Sequence, residues 1–152
     1  MSELKERLRA DLTASMKDRD EVRTRTLRMV LTEISKEEVS GAAARELDDA
    51  EVERVLAREA KRRREAAEAF SGAGRADQAT AEQAEGAVLA EYLPAQLEDA
   101  ELTALVAEAI AATGASGPSA MGQVMKAVNP KVAGRAEGSR VAAEVRRQLA
   151  QD

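Results

Sequence analysis

The stretch Met121-Gly-Gln-Val-Met-Lys-Ala-Val-Asn-Pro-Lys-Val-Ala-Gly-Arg-Ala-Glu-Gly138 places a break between two helices in a chain of 152 residues that is otherwise helical and alanine-rich. Val124, Met125 and Val128 supply the apolar side of one helix. Asn129-Pro130 is expected to end it, because proline lacks the N–H that a helix interior needs and disfavours helix at the residue before it. A loop from Pro130 to Gly138 follows, and Val141, Val145 and Leu149, spaced by four, form the buried face of a last helix. The stretch is also anomalous in charge. Between Met121 and Arg147 the six cations Lys126, Lys131, Arg135, Arg140, Arg146 and Arg147 stand against Glu137 and Glu144, a local charge of +4 in a chain of net charge −5. Such a sign inversion marks the segment as the first candidate for an anionic partner.

Working outward, Leu102, Leu105, Val106, Ala109 and Ile110 define a fifth helix, with Gly114 in the usual place of a left-handed cap. Gly117-Pro118-Ser119 opens the sixth, where a first-turn proline costs nothing. Gly122, inside that helix, costs about 1 kcal/mol against alanine. It is therefore read as a point of close approach for a neighbouring backbone or a ligand, and Gly134 as a second such point or a cap. Residues 95–152 thus form a small three-helix bundle, and the boundary falls at Pro94.

Residues 1–94 read as a larger subdomain of about four helices. Ser2 caps a first helix with Leu4, Leu8, Leu12 and Met16 on one stripe, ended by Lys17-Asp-Arg-Asp20. A second, from about Glu21 to Ser40-Gly41, has Leu27, Val30, Leu31 and Ile34 at i, i+3, i+4 and i+7. Asp48 and Glu51 make an acidic capping box for a third helix, with Leu47 as the staple residue before it, running to Phe70. Asp77 starts a fourth, read as a stripe of Ala81, Ala84, Val88 and Tyr92. The expected class is all-α.

Composition excludes much chemistry. There is no cysteine and no histidine, which removes disulfides, thiolate and imidazole metal sites, and histidine-based triads. No catalytic residue, metal site or cofactor is assigned. No apolar run approaches the roughly 20 residues of a membrane span, and Met1-Ser-Glu-Leu-Lys-Glu lacks a signal-peptide core, so no membrane and a cytoplasmic location are expected. Seventeen arginines against six lysines, with abundant alanine, hint at a bacterial genome of high GC content.

Thr26-Leu-Arg-Met-Val-Leu31, Lys61-Arg-Arg-Arg-Glu-Ala66, Ala73-Gly-Arg-Ala-Asp77, Glu91-Tyr-Leu-Pro-Ala-Gln-Leu97, Met121-Gly-Gln-Val-Met-Lys126 and Pro130-Lys-Val-Ala-Gly-Arg135 occur in order and spacing from about Leu4 to Leu149. Together they resemble the YqeY-like proteins of the GatB/YqeY family. The resemblance implies two all-helical subdomains and a relation to the tail of the B subunit of glutamyl/aspartyl-tRNA amidotransferase, which contacts tRNA. It also brings the family label of carbon-nitrogen ligase with glutamine as amido-N-donor. This chain lacks the catalytic portion and the amidase partner that perform that reaction, so the label is read as association with the complex. Where the family commonly has a serine capping the fifth helix, this chain has Glu98.

Two readings of Lys126, Lys131, Arg135 and Arg140 stand side by side: a patch for the phosphates of tRNA or another structured RNA, or solvated charge. The near-absence of aromatics, Phe70 and Tyr92 alone, points to recognition of RNA shape and backbone over stacked bases. The alternative function is a protein–protein adaptor with Met121 and Met125 as anchors. Arg58, Lys61, Arg62, Arg63 and Arg64 read as a charged helix face, with a second basic strip as the alternative, and Asp77, Glu82, Glu85 and Glu91 as solvated acids before Mg²⁺ ligands.

Overall fold

The structure, a computed structural model, describes residues 2–151. It is all-helical: α1 (Glu3–Lys17), α2 (Glu21–Glu38), α3 (Asp49–Gly72), α4 (Ala76–Ala90), α5 (Asp99–Thr113), a 3₁₀ turn (Pro118–Ala120), α6 (Met121–Val132) and α7 (Gly138–Leu149). The chain divides into two compact units, Met1–Leu93 and Pro94–Asp152.

In the first unit the helix starts follow from their caps. The Lys5 N–H donates to the Ser2 hydroxyl at 3.0 Å and the Arg23 N–H to the Asp20 carboxylate at 3.1 Å. At α3 the Glu51 N–H donates to Asp48 at 2.9 Å while the Asp48 N–H donates to Glu51 at 3.0 Å, the reciprocal pattern of a capping box. Leu8, Leu27, Val30, Ile34, Leu47, Val52, Val55, Leu56, Leu89 and Tyr92 form the core.

The face of α4 differs from the expected stripe. Ala81 is exposed, and Ala79 and Leu89 are the buried positions of the helix. The physical reason is polar: Glu82 and Glu85 turn toward Arg63 of α3, 3.7 and 3.1 Å from its Nε. Gly86 is also on this side, where an added Cβ would lie 3.7 Å from that of Arg63. The helix begins at Ala76, and Asp77 sits in its first turn without serving as the cap.

The core of the second unit comprises Leu97, Leu102, Val106, Ala109, Val124, Val128, Val132, Val141, Val145 and Leu149. Gly114 takes the left-handed conformation (φ 66°) at the end of α5. Pro130 does not break α6, which continues to Val132. Proline forfeits one hydrogen bond in the last turn, but burial of Val128 and Val132 four residues apart holds that turn helical, and the Ala133 N–H still donates to the Asn129 carbonyl at 3.0 Å. The break falls instead at Ala133 (φ 47°) and Gly134 (φ 77°), consecutive left-handed residues.

Candidate functional site

The α6–α7 turn is tied to the segment that precedes α5. The Leu97 N–H donates to the Arg135 carbonyl at 2.7 Å, and the Arg135 guanidinium donates through Nε to the Ala95 carbonyl at 3.0 Å. The Gln96 amide donates to the carbonyls of Pro94 (3.2 Å) and Gly134 (3.4 Å). Arg135 is therefore a structural clasp as well as a cation. Leu97, at the centre of these bonds, is buried in the core.

Three of the four predicted cations meet acids of α5. Arg140 donates to Asp99 at 2.8 Å, Lys131 lies 3.5 Å from Glu108, and Arg135 has Glu101 at 3.9 Å. Lys126 is exposed and makes no hydrogen bond or ion pair among the described residues, and the same holds for the side chain of Arg146. So the four residues occupy α6, its following turn and α7, but three of them arrive with carboxylate partners. Sequence reasoning missed those partners, although a signal for them exists. Residues 94–120 carry Glu98, Asp99, Glu101 and Glu108 and no cation, a charge of −4 opposite the +4 between Met121 and Arg147. The charge inversion along the chain is largely balanced within one bundle.

Gly122 stands in open space: a Cβ there would meet nothing within 4 Å, so no neighbouring backbone requires the glycine. Gly134 serves the turn through its positive φ. Met121 and Met125, the adaptor anchors, are partly buried against the core of the second unit, which leaves them less free surface than an exposed anchor would have. On α7, Glu144 accepts from Arg147 and from the Gln148 amide at 2.8 Å, and the same amide donates to the Thr103 carbonyl of α5 at 2.9 Å. The arginine, aided by Gln148, holds the Glu144 carboxyl down at about 2.

In the first unit the arginine run of α3 is paired. Arg58 donates to Glu37 at 3.1 Å, Arg62 to buried Glu59 at 2.9 Å, and Lys61 lies 3.9 Å from Glu65. Glu85 accepts from Arg25 at 2.9 Å and Glu91 from Arg23, so these acids are matched by arginines. No group of three or more acidic residues is placed to hold a metal ion among the described residues.

A second network lay outside the sequence reading. The Tyr92 hydroxyl donates to Asp11 at 2.6 Å and accepts from Arg23 at 2.8 Å, while the Arg7 guanidinium sits 4.6 Å above the ring. Burial, then the Asp11 carboxylate, raises the phenol well above its usual range. The signal available was a single tyrosine ending an apolar stripe, since a buried phenol must find polar partners. The network pins the end of the first unit, and it is read as structural.

Among the described residues no helix is long and apolar enough to cross a membrane. The chain has no match among curated proteins. The sequence model of the family described as Yqey-like protein, however, matches residues 5–149, nearly the whole chain, and on that match the chain belongs to the YqeY-like family.

Proposed function

We propose that this chain is a non-catalytic RNA-binding accessory of the bacterial cytosol, associated with tRNA-dependent amidotransferase systems, and that it takes the phosphate backbone of tRNA or a similarly structured RNA on α6, the α6–α7 turn and α7. In this reading the carbon–nitrogen ligation is performed by other subunits, and the module contributes binding alone. The observation that carries it is the state of the cations on α6: Lys126 is exposed and unpaired among the described residues, and Lys131 is held only at 3.5 Å by an exposed glutamate. The two are five residues apart on one helix, about 7.5 Å along its axis and about 140° around it, so they flank α6 and reach separate phosphates. Gly122, in open space on the same helix, leaves room for a sugar-phosphate strand to lie close.

Arg135 is a poor probe because its substitution also opens the clasp on Ala95. The test is a mobility shift with tRNA at low and moderate salt, comparing the native chain with Lys126→Glu/Lys131→Glu. Binding that falls steeply with salt, and weakens by about tenfold or more in the double variant, is the expected result. Absence of binding at low salt ends the proposal.

A further inference from the structure

Building on the RNA reading above, we propose that the acidic residues of α5 are a built-in competitor for RNA phosphates, so that Asp99, Glu101 and Glu108 set both the affinity and the salt dependence of the site. Each stands against a different cation of the α6–α7 region, at 2.8 Å from Arg140, 3.9 Å from Arg135 and 3.5 Å from Lys131. They are not buried supports: the side chains of Asp99 and Glu108 are 98% and 67% exposed. An incoming phosphate therefore meets each cation with its carboxylate alongside. Exposed pairs of this kind are weak, so phosphate can displace or share the carboxylate at small cost. A phosphate met by a cation that keeps its carboxylate is only partly neutralised, and fewer counterions leave the RNA. Two consequences follow for the native chain: moderate affinity, and a salt dependence shallower than its number of cations implies. Unfavourable charge placed beside an attractive site is also a route to selectivity, since a polyanion that does not engage Lys126 as well gains little.

The test uses the full chain and fluorescently labelled tRNA, with anisotropy measured over a salt series from about 50 to about 200 mM. The variant Asp99→Asn/Glu101→Gln/Glu108→Gln keeps side-chain shape and removes the charges. Its control, Glu3→Gln/Glu21→Gln/Glu68→Gln, removes the same charge from exposed positions of the first unit. The α5 variant is expected to bind about tenfold more tightly at low salt, with a log–log salt slope steeper by about 2. The control should shift affinity by less than about twofold and leave the slope unchanged. If the native chain binds and the α5 variant is no tighter, or if the control matches it, the competitor is refuted and the RNA reading stands. If only the α5 variant binds, the competitor is supported and the native chain is not an RNA-binding module. If neither binds, both readings fall. Should the triple variant not fold by circular dichroism, Glu108→Gln alone, which removes only the partner of Lys131, is expected to give about threefold, and no change there overturns the proposal.

Discussion

Both units carry ion pairs, but the first includes pairs withdrawn from solvent whereas the pairs that α5 makes in the second stand in water. The Lys5 and Glu38 side chains are 9% and 13% exposed, and Glu59, at 2%, lies beneath Arg62 and Arg63. In the second unit Asp99, Glu101 and Glu108 meet their cations at the surface. Desolvated partners cannot be exchanged without leaving a buried charge, whereas solvated partners can be traded for another anion. The contrast separates charge that holds a fold from charge that is free to bind. It also explains why the longest cationic run, Lys61-Arg-Arg-Arg64, is the weaker binding candidate, since Arg62 and Arg63 are engaged with Glu59, Glu82 and Glu85.

The strongest way to break this comparison is Glu38→Ala. The Glu38 carboxylate accepts from the Lys5 ammonium at 2.7 and 2.9 Å and from the Leu47 N–H at 3.1 Å, joining α1, the end of α2 and the entry to α3. Its removal leaves a nearly buried ammonium and a backbone donor without partners, at a cost of about 3 kcal/mol. The check is urea unfolding, with a lowered midpoint and an unchanged slope. A loss below about 0.5 kcal/mol would place this pair with the solvated ones.

Glu144 gives the second unit one pair that behaves more like those of the first. Its carboxyl is held down at about 2, chiefly by Arg147, against an ordinary 4.5. A depressed folded-state value means stability that is fully present above the unfolded value and lost as pH falls toward the folded one. The stability of the second unit should therefore decline between about pH 4.5 and about pH 2, and Glu144→Gln should flatten that part of the curve. Following acid unfolding of residues 94–152 by hydrogen exchange in both proteins checks it. Equal slopes would show that Glu144 is not the group responsible.

The helices and their caps were legible because they depend on neighbours in sequence: Ser2, Asp48 with Glu51, Leu47 and Gly114 stand where spacing placed them. The end of α6 is not legible from Pro130, because the local rule competes with the burial of Val132, a tertiary effect. The same holds for α4, where Arg63 on another helix draws Glu82 and Glu85 inward and Ala79, not Ala81, is the buried alanine. For the candidate site, the cations were legible one by one and their partners were not. Asp99 lies 41 residues from Arg140 and Glu101 lies 34 from Arg135, so only the folding of α5 against α6 and α7 brings opposite charges together. The +4 and −4 blocks were each visible in the sequence, but only the former drew a functional reading.

The smallest expected effect sharpens the comparison most, because it asks whether an α5 pair has any role in stability at all. Lys131 and Glu108, 40% and 67% exposed and 3.5 Å apart, should show a coupling energy of about 0.3 kcal/mol or less in a double-mutant cycle of Lys131→Ala and Glu108→Ala, read by thermal unfolding. The same cycle read by RNA binding should behave differently, since Glu108→Ala helps binding only while Lys131 is present to be released. Near-zero coupling in stability with clear coupling in binding is what a competitor predicts. Substantial coupling in stability would make Glu108 a structural partner after all, and the two units would then use their charges alike.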